Sequence, residues 1–307
     1  LEGSDGILEL IFFNDQKPGI HLVKLDSTSL EPLPNARFRI EHMGGTFSKE
    51  YVTDENGEVD ISDLEPGAYR VTELEAPDGY LIDDAQRVIQ INGNENAQFV
   101  FTNTRKPSIT VVKYDPVADK YLPGAIFRVA KIEDGSHYLD RVTETNGSFT
   151  ITDLEPGVYS VQEQAAPSGY VLNSREYHVE LFPGQESQVV VVNEAKPDIR
   201  IVKTDADTGE PVSGVTFTVR YADGSTVTTE ATNAKGEVYL ENMEPGTYEV
   251  WEQSVPDNYI IDTEHQHITL EPNRIGTVQF QNHQRPTLII NKVDLNGKPL
   301  TGAIFEL

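Results

Sequence analysis

The stretch DLEPGAYRVTELEAPDGY (63–80) returns as DLEPGVYSVQEQAAPSGY (153–170) and again as NMEPGTYEVWEQSVPDNY (242–259). Twelve of the 18 positions agree between the first two copies, and eight are identical in all three. A fixed period of this kind is the signature of tandem repeats, and it overrides the two domains that length alone would suggest. The sequence therefore predicts three complete copies of one domain.

The centre of each block predicts a β-strand with one buried face. Residues two apart on a strand point to the same side, so Tyr69 and Val71 share a face with Glu73. Glu163 and Glu252 hold the same position in the second and third blocks. Each repeat is therefore predicted to direct one carboxylate toward its core.

A lysine recurs along the chain at steps of 89, 90 and 89 residues, as Lys24, Lys113, Lys203 and Lys292. The surrounding windows are GIHLVKLD (19–26), SITVVKYD (108–115), DIRIVKTD (198–205) and TLIINKVD (287–294). In each window the lysine shares a strand face with apolar residues two and four positions before it. A buried ammonium is too costly to keep unless something neutralises or consumes it. This lysine therefore marks a candidate site in every repeat.

The third inward-facing polar residue closes each repeat. The segments QFVFTN (98–103), QVVVVN (188–193) and TVQFQN (277–282) predict strands that end in Asn103, Asn193 and Asn282. The lysine precedes the glutamate by 49, 50 and 49 residues, and the glutamate precedes the asparagine by 30 in every copy. One lysine, one glutamate and one asparagine are thus predicted to meet inside each domain.

Two interpretations of this triad remain open from the residues alone. The first is a buried Lys–Glu ion pair with a neighbouring asparagine, held by hydrogen bonds. The second is chemical: desolvation favours a neutral amine and a protonated acid, and a neutral amine is a nucleophile. The protonated carboxyl could then polarise the asparagine amide and shuttle protons. Loss of ammonia would leave a Lys–Asn isopeptide cross-link.

Several motifs together resemble the Cna protein B-type (SpaA-like) repeat of Gram-positive surface proteins and pilins. They are the VVKxD opening, the A-x-F second strand (Ala36–Phe38 and Ala125–Phe127), the TDENGE turn and the Y-x-V-x-E-x-x-A-P-x-G-Y block. The resemblance covers essentially the whole chain. The third repeat departs from the pattern at Val255 and Asn258, which replace an alanine and a glycine, and none of its departures removes a triad member.

The resemblance implies an all-β fold of tandem prealbumin-like, reverse immunoglobulin-like β-sandwich domains, arranged as an elongated rod. It also implies a spontaneous Lys–Asn bond in each repeat, promoted by the glutamate, with no cofactor or metal and no enzymatic turnover. The implied cross-links are Lys24–Asn103, Lys113–Asn193 and Lys203–Asn282, and the implied promoting acids are Glu73, Glu163 and Glu252.

The period also predicts the boundaries of the repeats, and short basic-Pro junctions separate them, which favours extended, stiff links. Complete repeats are expected over 19–104, 108–194 and 198–283, between a closing strand of a truncated repeat (1–14) and the opening strands of another (287–307). Neither flanking piece contains the glutamate, so Asn14 and Lys292 are expected to be unpaired halves of cross-links. The chain is accordingly expected to be a piece of a longer protein.

Composition narrows the possible partners. The chain has 24 basic and 50 acidic residues, a net charge of −26, which argues against binding to nucleic acid or to anionic membranes. No apolar run approaches membrane-spanning length, so membrane insertion is not expected. Cysteine is absent, which excludes disulfides from this chain. We expect an extracellular, cell-wall-attached location on a Gram-positive bacterium, with the neighbouring repeats and an unidentified host extracellular ligand as partners.

Weaker patterns suggest other sites. Asp205, Asp207 and Glu210 resemble an oxygen-ligand loop for Ca²⁺, although a solvated turn is the favoured interpretation. His265 and His267 share a strand face as metal ligands might, yet a third ligand is not evident, and a surface pair is favoured. Trp251, the one tryptophan, is predicted to point away from the core and could anchor a partner.

Three classes of function are compatible with secreted repeats, and the sequence separates them. A structural stalk predicts near-equivalent repeats, which are present. An adhesin requires one distinctive repeat, and Trp251 makes the third repeat the candidate for that alternative. An enzyme requires a catalytic set outside the repeat, and no nucleophile motif, metalloprotease motif or phosphate loop is found in the sequence. The stalk is therefore the favoured function.

Overall fold

A computed structural model describes residues 17–83, 85–93, 96–133 and 138–306 of the chain. These residues form 23 β-strands, and none of them lies in a helix, which confirms the predicted all-β class. Within this part of the chain there is thus no helix that could span a membrane. Asn14 and the expected closing strand over 1–14 lie outside the described residues.

The strands group into two compact units. The first contains the described residues through Tyr114, together with Lys120–Ala165 and Asn173–Val191. The second contains Asp115–Asp119, Ala166–Leu172 and the described residues from Val192 onward.

The first repeat consists of eight strands in two four-stranded sheets. They are β1 (Ile20–Asp26), β2 (Arg37–His42), β3 (Ser48–Val52), β4 (Glu58–Ile61), β5 (Gly67–Glu75), β6 (Tyr80–Leu81), β7 (Arg87–Ile91) and β8 (Ala97–Arg105). One sheet has the order β4-β1-β8-β6 and the other β3-β2-β5-β7. The lysine and asparagine strands, β1 and β8, are therefore neighbours, while the glutamate strand β5 lies in the other sheet.

The second repeat follows the same plan. Its strands are β9 (Ser108–Asp115), β10 (Lys120–Tyr121), β11 (Ile126–Lys131), β12 (Tyr138–Val142), β13 (Ser148–Ile151), β14 (Gly157–Ala165), β15 (Glu176–Leu181) and β16 (Glu186–Val192). One sheet contains β10-β9-β13, with β16 also paired to β9, and the other has the order β12-β11-β14-β15.

The third repeat has seven strands among its described residues. They are β17 (Asp198–Asp205), β18 (Thr216–Arg220), β19 (Thr226–Thr228), β20 (Glu237–Leu240), β21 (Gly246–Ser254), β22 (Gln266–Leu270) and β23 (Ile275–Asn282). The sheets have the orders β20-β17-β23 and β19-β18-β21-β22. The arrangement again separates the glutamate strand, β21, from the lysine and asparagine strands.

Alternation of apolar and polar residues produces the core of each repeat. Along β1 and β17 every second residue is buried, from the first residue of β1 and the second of β17. A strand has one face toward the core and one toward solvent when its residues alternate in this way. Each repeat has its own cluster of buried apolar side chains, with Phe38, Phe127 and Phe217 fully buried at equivalent positions.

The first and last strands of a repeat are parallel neighbours, and their register positions the candidate site. In the first repeat Lys24 pairs with Phe101 and Asp26 pairs with Asn103. In the third repeat Lys203 pairs with Phe280, two residues before Asn282. The lysine and the asparagine are thus close in register and share the inner face, because residues two apart on a strand point the same way.

The turn that contacts the lysine strand requires a glycine, because the two backbones lie too close together for a side chain. Gly236 has a φ of +71°, and its carbonyl accepts a 2.7 Å hydrogen bond from the backbone N–H of Lys203. A methyl group at Gly236 would overlap the carbonyl oxygen of the same lysine. Gly57 contacts Lys24 in the same way in the first repeat. The turns that contain these two glycines therefore support the lysine strand directly.

The segment 287–306 differs from the sequence-based expectation of two opening strands. It contains no strand, only an isolated bridge between Val293 and Pro299 and a turn in which Gly297 donates to Asp294. The N–H of Leu300 nevertheless donates to Lys292, as Leu33 does to Lys24. The local turn forms, whereas strands need neighbouring strands and a facing sheet to bury their apolar side.

We predict that Gly236→Ala destabilises the third repeat by more than Gly209→Ala does. Both glycines have left-handed φ angles, of +71° and +75°, but Gly209 has open space around the position of a Cβ. The control should lose about 1 to 2 kcal/mol for the backbone conformation alone. Gly236→Ala should lose a further 1 to 3 kcal/mol or so for the overlap with Lys203. Trp251 fluorescence during urea unfolding measures both, and equal losses would contradict the prediction.

Candidate cross-linking sites

The structure buries all nine predicted triad residues. The three lysines are 0% exposed, the three glutamates 3–4% and the three asparagines 2%. The members of this set are Lys24, Glu73, Asn103, Lys113, Glu163, Asn193, Lys203, Glu252 and Asn282. Strand parity therefore located the inward-facing polar groups correctly.

Each buried ammonium lies beside the carboxylate of its own repeat. Lys24 Nζ is 3.2 Å from Glu73 Oε1, and Lys113 Nζ is 3.2 Å from Glu163 Oε1. Lys203 Nζ is 3.4 Å from Glu252 Oε1. The glutamate reaches the lysine across the core, because the two residues belong to facing sheets.

Burial changes the acid–base behaviour of the lysines. Desolvation lowers the pKa of Lys113 to about 8, against the opposing attraction of Glu163. It also lowers the pKa of Lys24 and Lys203, again against the attraction of the neighbouring glutamate. A lowered pKa increases the fraction of neutral amine at physiological pH, and the neutral amine is the nucleophilic form.

The asparagine amide is held by the glutamate and by a backbone carbonyl. Asn103 Nδ2 donates to Glu73 Oε2 at 2.9 Å and to the carbonyl of Leu81 at 2.7 Å. Both of its N–H groups are thereby used. The amide oxygen Asn103 Oδ1 and the carboxylate oxygen Glu73 Oε1 have no hydrogen-bond partner. The Lys24 ammonium donates its hydrogen bond to Glu73 Oε2 at 3.2 Å, and buried acceptors left without a hydrogen bond beside it are rare and costly.

The third repeat has the same arrangement. Asn282 Nδ2 donates to Glu252 Oε2 at 2.9 Å and to the carbonyl of Ile260 at 2.5 Å. Asn282 Oδ1 and Glu252 Oε1 are again buried without a hydrogen-bond partner. The same two acceptors are thus left over in two separate copies of the site, which argues against an accident of one side-chain placement.

Aromatic rings line the lysine side of the site. Lys24 Nζ lies 5.6 Å from the centre of the Phe38 ring, and Lys113 Nζ lies 5.7 Å from that of Phe127. Phe38 also packs on Phe101 with ring centres 5.2 Å apart. These rings exclude water from the pocket, and in a dry pocket a charged pair is expensive while a reaction between neutral groups is favoured.

Sequence reasoning missed a fourth buried polar group next to each triad. Asp26, 1% exposed, accepts through Oδ1 from the N–H groups of Thr28 and Ser29 at 2.7 and 3.0 Å. Its Oδ2 accepts from Tyr80 Oη and from Arg105 Nε, both at 2.8 Å. We call this set of hydrogen bonds to the buried aspartate the clasp. It connects the end of the lysine strand to the end of the asparagine strand.

The clasp recurs in the other repeats. Asp205 Oδ1 accepts from the N–H groups of Asp207 and Thr208, and Oδ2 from Tyr259 at 3.0 Å and Gln284 at 2.7 Å. Asp115 likewise accepts from Tyr170 Oη at 3.0 Å. The signal was available, because each aspartate lies two residues after the lysine and so shares its inner face.

Hydrogen bonds of the clasp also organise the loop of Asp205 and Asp207, in which the sequence suggested a Ca²⁺ site. Four protein donors already point at the two oxygens of Asp205, and the side chain is 1% exposed. Asp207, by contrast, is on the surface and contacts His283 Nδ1 at 3.1 Å. The loop is therefore organised around hydrogen bonds to a buried aspartate.

Trp251 is engaged within its own sheet. Its ring stacks on His265, with centres 4.5 Å apart and planes 5° from parallel, and the guanidinium of Arg220 lies 4.9 Å from the ring centre. Glu249 joins these neighbours, accepting from Arg220 at 2.6 Å and contacting His265 Nδ1 at 2.8 Å. The tryptophan thus belongs to a surface cluster formed by β18, β21 and the residue that precedes β22.

One cluster with metal-ligand chemistry occurs in the described part of the chain. His21, Glu58 and Asp60 bring one ligand-type atom each to within 4.8 Å of one another on the outer face of the first repeat. His21 Nδ1 lies 2.8 Å from Asp60 Oδ1, at hydrogen-bond distance. The three side chains are at least partly exposed, and their contacts are those of a surface ion-pair group.

The basic residue of each junction is bound on both sides. The N–H of Lys106 donates to the carbonyl of Gly79 at 2.8 Å, while its Nζ pairs with Glu155 at 2.7 Å. Lys196 makes the same two contacts with Gly169 and Glu244. The short junctions predicted from sequence are thus anchored by hydrogen bonds and ion pairs to the turns beside them.

Comparison with known proteins agrees with these observations. The family model of the SpaA prealbumin-like fold domain matches residues 18–105, 107–196 and 197–284. Serine-aspartate repeat-containing protein D of Staphylococcus aureus strain Newman is 25% identical over 84% of the chain, and the chain spans 21% of that relative's length.

Solved structures that match the chain include two pilins. The Bacillus anthracis TIE protein is 26% identical, with a TM-score of 0.39, over 87% of this chain and 51% of its own. A streptococcal ancillary pilin is 17% identical, with a TM-score of 0.37, over 89% of this chain and 100% of its own. The shaft pilin SpaA of Lactobacillus rhamnosus GG is 15% identical, with a TM-score of 0.40, over 60% of this chain and 100% of its own.

We predict that Asp205→Asn destabilises the third repeat at neutral pH and much less in acid. The hydrogen bonds from Gln284 and from the N–H groups of Asp207 and Thr208 hold the pKa of Asp205 well below its ordinary value of 3.8. The ionised carboxylate therefore contributes stability above that value and loses the contribution as the pH falls toward the folded-state pKa.

Urea unfolding followed by Trp251 fluorescence between about pH 1.5 and pH 7 measures this difference, because the contribution is lost only below the ordinary pKa of an aspartate. Asp207→Asn, at a surface position in the same loop, is the matched control and should show little effect. An Asp205→Asn deficit of equal size at both ends of the pH range would contradict the prediction.

Proposed function

Since the chain belongs to the SpaA family of prealbumin-like fold domains, we propose that it is a structural stalk segment of a bacterial cell-surface protein. Each repeat carries a self-formed Lys–Asn isopeptide bond that provides mechanical and proteolytic stability. The observation that carries this proposal is the buried triad: a lysine of lowered pKa lies beside a carboxylate in every repeat, and that carboxylate accepts from the asparagine amide in the first and third. The location is extracellular, on the wall of a Gram-positive bacterium, with adjacent repeats as the immediate partners.

The proposed reaction needs only the three side chains. The glutamate carboxylate takes a proton from the lysine ammonium, and the neutral Nζ attacks the asparagine Cγ. The Nζ–Cγ bond forms, the Cγ–Nδ2 bond breaks, and the carboxyl returns its proton to the departing nitrogen, which becomes ammonia. The second proton of Nζ then passes through the carboxylate to the ammonia, and the glutamate ends as a carboxylate. An ammonium ion and a secondary amide are the products, so atoms and charges balance. The cross-link forms once in each repeat, which distinguishes it from enzymatic turnover.

The topology gives this cross-link a mechanical role. Tension along the chain enters a repeat through its first strand and leaves through its last, and in the first and third repeats these strands are parallel neighbours. Opposed forces on parallel strands shear their hydrogen bonds. A bond between the lysine and the asparagine transmits the tension covalently and spares the roughly 80 residues between them from extension.

We predict that the intact mass of the chain is lower than its sequence mass by three molecules of ammonia, about 51 Da. Digestion should yield three branched peptides, joining Lys24 to Asn103, Lys113 to Asn193 and Lys203 to Asn282. Lys292 serves as the control, because it lacks a glutamate partner in this chain and should remain a free amine. An intact mass equal to that of the unmodified sequence would refute the proposed cross-links.

We predict that Glu163→Gln leaves the second repeat folded but not cross-linked. The amide keeps the size of the side chain but neither takes a proton from Lys113 nor returns one. Intact mass should rise by about 16 Da relative to the native chain, since one ammonia is retained and the substitution itself removes about 1 Da. Asn193→Ala, which keeps the acid but removes the electrophile, should also abolish the bond.

Loss of the bond should also lower the stability of the second repeat. Freeing a loop of about 80 residues in the unfolded chain costs the fold about 4 kcal/mol if disulfide closure is a fair analogue. Differential scanning calorimetry of the full chain measures the change, and Glu180→Ala, at an exposed site on β15, is the control. A retained ammonia loss in Glu163→Gln would show that Glu163 is not the promoting acid.

A further inference from the structure

A short loop touches the candidate site through its main chain in every repeat. In the first repeat the loop residue Asp83 donates its backbone N–H to Glu73 Oε2 at 3.1 Å. The equivalent N–H of Asn173 reaches Glu163 Oε2 at 2.8 Å, and that of Asp262 reaches Glu252 Oε2 at 2.8 Å. The donor is always ten residues after the glutamate.

The same loop holds the asparagine amide in the first and third repeats. The carbonyl of Leu81, two residues before Asp83, accepts from Asn103 Nδ2. The carbonyl of Ile260, two residues before Asp262, accepts from Asn282 Nδ2. One main-chain segment thus supplies a donor to the carboxylate and an acceptor to the amide.

The side chain at the donor position fixes the loop conformation. Asp83 Oδ1 accepts from the N–H of Ala85 at 3.0 Å, and Asn173 Oδ1 accepts from Arg175 at 3.0 Å. Asp262 Oδ1 does the same with Glu264 at 2.9 Å. Asp and Asn are interchangeable in such a turn, because each offers one side-chain oxygen to the backbone N–H two residues on.

We propose that Asp83, Asn173 and Asp262 are positioning residues of the cross-linking reaction, whose backbone N–H binds glutamate Oε2 and holds the carboxylate beside the lysine amine. This proposal rests on the proposed cross-linking function. Oε2 accepts from the loop N–H and, in the first and third repeats, from the asparagine amide as well. Oε1 lies 3.2 to 3.4 Å from the ammonium in the three repeats.

The loop carbonyl has the complementary role at the amide. By accepting from Nδ2 it fixes which end of the amide faces the glutamate, since a flipped amide would point Oδ1 at two acceptors. Nδ2, the nitrogen that leaves as ammonia, therefore stays within 2.9 Å of the carboxylate that must protonate it.

The test removes only the N–H at position 262. Replacing Asp262 by its α-hydroxy acid, which turns the amide into an ester, deletes this donor and retains the side chain; Asp262→Pro deletes it by ordinary mutagenesis. The matched control is Asp262→Asn, which keeps the N–H and the turn and reproduces the residue found at position 173. The first and second repeats of the same chain serve as internal references.

Peptide mass spectrometry over time measures the cross-linked fraction of each repeat, and Trp251 fluorescence reports whether the third repeat is folded. Loss of the N–H should slow cross-linking of the third repeat by about ten- to a hundredfold, as expected for one hydrogen bond to a charged group. Because a hydrogen bond favours the ionised carboxylate, its loss should also move the pH profile of the residual rate upward. Asp262→Asn should react at the native rate with an unchanged acid limb.

The outcomes separate this proposal from the function on which it rests. A folded ester variant that cross-links at the native rate with an unchanged pH profile would overturn the positioning role and leave the cross-linking function intact. Slowing in Asp262→Asn equal to that in the ester variant would assign the effect to the side-chain charge, which also contradicts the proposal. Absence of cross-links from every repeat of the native chain would overturn both.

Discussion

Each repeat depends on one contact, that between a buried lysine and a buried glutamate. The mutual attraction of two buried charges rarely offsets the free energy lost when both are removed from water. Apolar side chains of similar volume often stabilise a core as well or better. The side chain of Lys24 is 0% exposed, and burial, outweighing the attraction of Glu73, lowers its pKa. A fold that retains this arrangement in three copies holds an expensive pair, and the proposed conversion of the amine into a neutral amide would remove the lysine charge from the core.

The architecture serves that contact by bringing three distant parts of a repeat together. The first and last strands lie side by side in parallel, so Lys203 and Asn282 share one inner face, while Glu252 approaches from the facing sheet. Gly236 permits the backbone to press against the lysine strand, and Asp205 ties the two strand ends together. These supports combine backbone and side-chain contacts, and they would hold the atoms of the proposed reaction in place before any bond forms, which is where most of an intramolecular rate advantage originates.

The sequence predicted the all-β class and the inward direction of the triad because the period of a strand is strictly two, so parity alone fixes the face of Lys24 or Asn103. Sequence-based prediction failed where the structure of a segment depends on contacts with residues distant in the chain. The opening strands expected over 287–307 are absent from the described residues of that segment, because strands require partners that this chain does not supply there. Asp205 was interpreted as part of a solvated turn although it shares the parity of Lys203 and is buried, since turn chemistry and burial compete for the same residue type.

Main-chain groups explain the part of the site that no sequence pattern could reveal. The backbone N–H of residue 83, 173 or 262 donates to the buried glutamate of its repeat, whichever side chain the residue carries. The residue type therefore indicates only the turn that orients this N–H. The clasp varies in a similar way, with Arg105 and Gln284 as alternative donors to equivalent aspartates. The three repeats thus agree strictly in the atoms that would react and only approximately in the groups that hold them. A hydrogen bond can be supplied by many donors, whereas an amine, an acid and an amide have no substitutes in this chemistry.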